Sequence, residues 1–155
     1  MSALRRLTLV AVIAVAVTIP ARSGADAPVG RYCISSPDAG TAATVLDTGT
    51  GLTWLSAPEQ GSFTWQQAID HCASLTTNGA AWRLPSMKEL MTLGDPANDG
   101  VSVDAAVFPD LAQEQFWSET PYKPEANRAW IVMGQNCGGA DVVDFKRVRC
   151  VMQTP

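Results

Sequence analysis

Thr44-Val45-Leu46-Asp47-Thr48-Gly49-Thr50-Gly51-Leu52-Thr53-Trp54-Leu55 decides how this chain begins to fold. Two four-residue runs rich in β-branched and large apolar residues flank Thr48-Gly49-Thr50-Gly51, and a Gly-containing connection of that length predicts an antiparallel hairpin. Immediately downstream, Thr64-x-x-Gln67 has the form of a capping box, in which Thr accepts from a free helix N–H and Gln reaches back to the cap. Trp65, Ala68, Ile69, Cys72 and Leu75 then recur at spacings of three and four, which places them on the inward face of one helix. A second box, Ser86-x-x-Glu89, follows Pro85 and precedes Met87, Leu90 and Leu93, with Gly94 as a stop. It predicts a helix of about two turns.

From Asp95 to Leu111 the reading is irregular, broken by Pro96, Gly100 and Pro109, with Val101, Val103, Val107 and Phe108 as inward plugs. Strand-like runs follow at 115–118, 129–133, 141–145 and 148–152, with Gly138-Gly139 and Lys146-Arg147 as separators. Strands first, helices next and strands last predict an α+β domain: one twisted antiparallel sheet with two short helices on one side. There is no internal repeat and no heptad.

Upstream, Arg5 and Arg6 precede an uncharged apolar run from Leu7 to Ile19, closed by Pro20 and Arg22. At about 13 residues the run is short for a membrane span and matches a signal peptide. Ser23-Gly24-Ala25 supplies small residues for cleavage after Ala25. An uncleaved anchor is the alternative. The organisation expected is therefore a signal peptide at 1–25, a segment at 26–44 tied down by Cys33, and one domain at 45–152. The product would be secreted or periplasmic and would keep no stable membrane span.

The whole chain carries a formal charge of −4. Cleavage would remove three arginines and no acid, leaving a mature charge of about −7. That balance argues against nucleic acid as a partner. Lys146, Arg147 and Arg149 form the one basic cluster, read here as a solvated strand face.

Cys33, Cys72, Cys137 and Cys150 match neither a zinc-site nor a redox C-x-x-C spacing, and an even count in an oxidising compartment predicts two disulfides. Three pairings exist. Cys72 with Cys150 is preferred because both lie in apolar, regular segments, which leaves Cys33 with Cys137.

Taken in order, Asp47-Thr48-Gly49-Thr50-Gly51-Leu52-Thr53-Trp54, Thr64-Trp65, Trp82-Arg83-Leu84-Pro85-Ser86-x-x-Glu89-Leu90, Phe116-Trp117-Ser118, Ala129-Trp130 and Val148-Arg149-Cys150-Val151 resemble the Lcl C-terminal domain family. The resemblance implies an extracytoplasmic α+β module, C-type lectin-like and related to sulfatase-modifying-factor architecture. It also implies the pairing of Cys72 with Cys150. The namesake adhesin binds sulfated polysaccharides. This chain departs from it: an acidic surface repels polyanions, no collagen-like repeat precedes the domain, and the sugar-holding triplets of calcium-dependent lectins are missing. Lys123-Pro124-Glu125-Ala126-Asn127 matches such a triplet only loosely.

Function is read as a binding or interaction module for an extracellular or envelope ligand, a carbohydrate or cell-surface adhesion partner, presented on loops between Asp95 and Pro124. The alternatives are a structural envelope protein without a small ligand and a divergent enzyme of the sulfatase-modifying-factor type. Candidate ligand-surface residues are Trp117, Glu119, Tyr122 and Asn127. Trp54, Trp65 and Trp130 are read as core, and Arg83 as the partner of Glu89 or Glu119. Asp95, Asn98, Asp99 and Asp104 could hold calcium, although turns use the same residues and the spacing fails the EF-hand pattern. No other cofactor is expected. His71 is the single histidine and no hydrolase or phosphate-cradling motif is present, so no catalytic residues are assigned. A free Cys137 would reopen that question.

Overall fold

The computed structural model describes residues 30–35, 42–94 and 103–153. The expected signal peptide, and with it Asp95, Asn98, Asp99 and Val101, lies outside the described residues.

The hairpin forms where the sequence places it. Strand β2 (Thr44–Asp47) pairs antiparallel with β3 (Leu52–Leu55), Val45 opposite Trp54. The turn closes on Gly51, whose φ of 70° favours glycine and whose N–H donates to the Asp47 carbonyl at 2.8 Å. On one side β1 (Tyr32–Ser35) adds to β2. On the other, β7 (Val151–Gln153) returns nearly a hundred residues later to pair with β3, Trp54 opposite Val151. All four residues of β3 are buried because it is central in this sheet and covered on both faces.

The remaining strands form a second sheet, in the order β4 (Phe116–Pro121), β5 (Arg128–Met133) and β6 (Asn136–Asp141). The expected single sheet is thus two. β7 is consumed by the first sheet, residues 142–145, expected as strand, leave the sheet, and the expected separator after them makes isolated bridges, Lys146 to Phe63 and Arg147 to Phe116. Gly138 and Gly139, expected between strands, lie inside β6.

Helix α1 (Trp65–Ser74) starts at Thr64, whose N–H donates to Gln67 Oε1 at 3.0 Å. Helix α2 (Met87–Thr92) starts at Ser86, whose Oγ accepts from the Glu89 N–H at 3.2 Å while its own N–H donates to Glu89 Oε2 at 2.8 Å. The two helices serve different parts of the core. Leu90 and Leu93 of α2 pack with Val45, Leu52, Trp54, Phe108, Leu111 and Phe116. Ala68 and Cys72 of α1 pack with Leu55, Trp82, Leu84, Trp117, Val148 and Cys150. Each large side chain so buried contributes about 2–3 kcal/mol of transfer free energy. Among the described residues no helix is long and apolar enough to cross a membrane.

One disulfide is present, joining Cys72 of α1 to Cys150 just before β7. The expected second bridge is absent. Cys33 sits on β1 at the edge of one sheet, Cys137 on β6 at the edge of the other, and both are exposed free thiols.

Candidate functional site

The motif residues that looked distinctive in the sequence are mostly scaffold. Arg149, expected on a solvated face, is wholly buried. Its Nη2 donates to both carboxylate oxygens of Asp110 at 2.7 Å, and its Nη1 donates to the carbonyls of Leu55 and Ser56 at 2.6 and 2.7 Å. The guanidinium also lies 4.9 Å from the Phe108 ring centroid. Burial lowers its pKa, opposed by the charge and hydrogen bonds of Asp110. The strand expectation failed here because the segment at 148–150 runs through the core before β7 begins.

Arg83 grips Glu89 through two hydrogen bonds of 2.9 and 2.6 Å, with Glu119 at 4.0 Å. Leu84 and Pro85 are buried between these groups and the core. The Pro85 carbonyl accepts from the Glu119 N–H at 2.8 Å, tying the start of α2 to β4. Each of three tryptophans spends its indole N–H inside the fold: Trp65 on the Ser118 carbonyl, Trp82 on Thr77 and Trp117 on Phe63, at 2.7–2.8 Å. Trp54 is wholly buried.

Of the four candidate ligand-surface residues, Trp117 is wholly buried and so is removed from the surface. In the described part of the irregular segment Val103 and Phe108 are buried as the inward plugs expected of them, together with Leu111, while Ala105, Ala106 and Pro109 stay exposed. Asp104 uses its carboxylate to accept from the Ala106 N–H at 3.0 Å. Glu119 and Asn127 are exposed. Tyr122 is half-buried, stacked edge-on against half-buried Trp130 at 4.8 Å between centroids.

The surface that does gather recognition chemistry is the ridge formed by residues 142–147. Its backbone is held from below: Trp65 N donates to Val142 O at 3.0 Å, and Phe63 and Lys146 exchange two hydrogen bonds of 2.9 and 3.0 Å. Held this way, Val143 and Phe145 project into solvent, 69% and 65% exposed. These values decide the assignment, because apolar side chains on a fixed backbone are left uncovered at the cost of hydration.

Two recesses take lining residues from the ridge. One, of about 650 Å³, is lined by Phe145 with Ser62, Phe63, Gln67, Asp70, His71 and Ser74. In it the His71 ring stacks on Phe63 at 4.7 Å, and its Nε2 lies 2.7 Å from Glu59 Oε2. The other, of about 420 Å³, takes Asp144 and Lys146 from the ridge and Asn127, Arg128 and Asp141 from the second sheet. Asn127, a candidate from the sequence, lines this recess, while Val143 and Phe145 were not among the candidates. The signal was present in Asp141-Val142-Val143-Asp144-Phe145-Lys146, where charges interrupt what otherwise reads as a buried strand.

Among the described residues the side-chain thiols of Cys33 and Cys137 make no hydrogen bond, and no group of three or more His, Cys, Asp or Glu side chains is set to hold a metal ion.

Comparison with known proteins adds one match. The family model of the Lcl C-terminal domain covers residues 43–152, from the hairpin to β7. No curated protein matches the chain.

Proposed function

We propose that this chain, which belongs to the Lcl C-terminal domain family, is an exported binding module that holds an extracellular or envelope carbohydrate across the ridge at Val143 and Phe145. The observation that carries this reading is the exposure of the Phe145 ring at one of two recesses that take residues from the ridge and both carry amide and carboxylate groups. Sugar rings present apolar faces and equatorial hydroxyls, so a fixed aromatic platform beside planar polar groups suits them. The signal-peptide pattern at the N-terminus and the Cys72–Cys150 bridge support export to an oxidising compartment. The same reading takes the two-sheet domain as C-type lectin-like, with no enzymatic step and no calcium in sugar binding.

A glycan array probed with the mature, disulfide-intact protein tests the reading. Wild-type protein should give reproducible signal in EDTA as in buffer. Phe145→Ala should lower it by roughly tenfold, the equivalent of losing one stacking contact. A silent array, or equal signals from the two proteins, overturns the proposal.

A further inference from the structure

The charges around the ridge separate one class of glycan from the others. The two cations that line the recess beside the second sheet are already engaged. Arg128 donates to Glu125 Oε1 at 3.0 Å and to the Gly139 carbonyl, and Lys146 lies 3.7 Å from Asp144. Arg147, at the end of the ridge, is held by Glu114 at 2.6 Å and donates to the Gly61 carbonyl at 2.6 Å.

Two carboxylates have no such counter-charge. Asp70, in the recess lined by Phe145, accepts only from the neutral amide of Gln66 at 2.9 Å. Asp141, in the other recess, accepts from Asn127 Nδ2 at 3.0 Å and from the Val143 N–H at 3.2 Å. Among the described residues neither is in an ion pair. Each of the two recesses that take residues from the ridge therefore holds a carboxylate without a counter-charge.

We infer that the ligand is an amino-sugar glycan bearing free ammonium groups, its ring face on Phe145 and its ammonium groups turned toward Asp70 and Asp141. The inference rests on the binding-module reading and deepens it. A sulfated polyanion would meet two uncompensated carboxylates and no uncommitted lining cation, which costs affinity by repulsion and desolvation. A lysine-rich peptide shares the charge but makes no use of the aromatic platform or of the neighbouring amides of Gln67 and Asn127.

Calorimetric titration of the mature protein at about pH 5.5, where carboxylates are ionised and amines protonated, would compare four probes: a β-1,4-linked glucosamine hexamer, its fully N-acetylated counterpart, dextran sulfate and an oligolysine of equal charge. The glucosamine hexamer should bind at least tenfold more tightly than the N-acetylated one. Asp70→Asn combined with Asp141→Asn should abolish that preference by bringing the affinity for the glucosamine hexamer down to that for the N-acetylated one, with thermal unfolding showing that the variant folds. Equal binding of both hexamers, lost in Phe145→Ala, would overturn the amino-sugar assignment and leave the module reading standing. Tighter binding of dextran sulfate, or oligolysine binding equal to that of the glucosamine hexamer, would also overturn it. No binding of any glycan would overturn both.

Discussion

Arg149 and Asp110 form a bidentate ion pair, 2.7 Å at both oxygens, whose arginine is wholly enclosed by the core while the carboxylate lies near its edge. The pair joins the irregular segment before β4 to the approach to β7, so it fixes two parts of the chain that share no secondary structure. Removing one partner of a buried pair strands the other charge at a cost of about 3–5 kcal/mol. Asp110→Ala should therefore destabilise the domain by about 3 kcal/mol in urea-induced unfolding. Arg149→Lys should not restore stability, because an ammonium cannot reproduce the two-oxygen grip and the carbonyl contacts together. A loss below about 0.5 kcal/mol in Asp110→Ala would mean the pair is solvent-screened.

The single bridge from Cys72 to Cys150 closes a sequence separation of 78 residues. In the chain-entropy description such a loop stabilises by about 4 kcal/mol. Cys72→Ser with Cys150→Ser should lower stability by about 2–4 kcal/mol. A thiol-labelling count should find two reactive thiols in the native protein, Cys33 and Cys137, and four after reduction and unfolding. Finding no reactive thiol natively would show a second bridge.

Glu89 predicts a pH signature. The hydrogen bonds from Arg83 hold its carboxyl down, to about 2 from an ordinary 4.5, with further help from Ser86 and from the arginine's charge against the opposing effect of burial. A carboxyl whose folded pKa is depressed stabilises fully above its unfolded pKa and loses that contribution as pH falls through the folded value. The contribution of Glu89 should thus be intact above about pH 4.5 and fade toward pH 2. Glu89→Gln keeps a capping acceptor but removes the charge; with Arg83 partly exposed the loss should be about 1 kcal/mol at neutral pH. The difference between wild type and variant should shrink on acidification, read from urea unfolding at several pH values.

Local signals in the sequence were sufficient for the local structure. The hairpin at 44–55, both capping boxes and the runs that became β4 and β5 depend on neighbours a few residues apart. What eluded the sequence depends on distant partners. The split into two sheets follows from β7 pairing with β3, and the burial of Arg149 from Asp110 lying beside a strand end far along the chain. Trp117 looked exposed beside Ser118 and Glu119, yet its indole reaches Phe63 across 54 positions. Cys33 and Cys137 were assigned to each other by elimination, whereas the fold puts them on edges of different sheets. The ridge was hidden for a related reason: Val143 and Phe145 have the composition of a strand core, and only the backbone anchors to Phe63 and Trp65 turn them outward.

Gly139 lies inside β6 beneath the ring of Tyr122, where an added Cβ would meet ring carbons at 3.0–3.1 Å. That ring is also held by Trp130 and lies 5.5 Å from the Arg128 guanidinium, so it has little room to yield. Gly139→Ala should cost about 1–3 kcal/mol by overpacking. Adding Tyr122→Ala should remove most of that penalty, giving a non-additive double-mutant cycle in thermal or urea unfolding. Strict additivity would place the strain elsewhere.

The carbohydrate-binding ridge is tested most directly by NMR titration of the isotope-labelled mature protein with the glucosamine hexamer, following every backbone amide. The account predicts shift changes concentrated at residues 141–147, at Phe63 and through Gln67 to His71, all absent in Phe145→Ala. Saturating hexamer that moves no amide, or moves those of β1 and β2 instead, would contradict it.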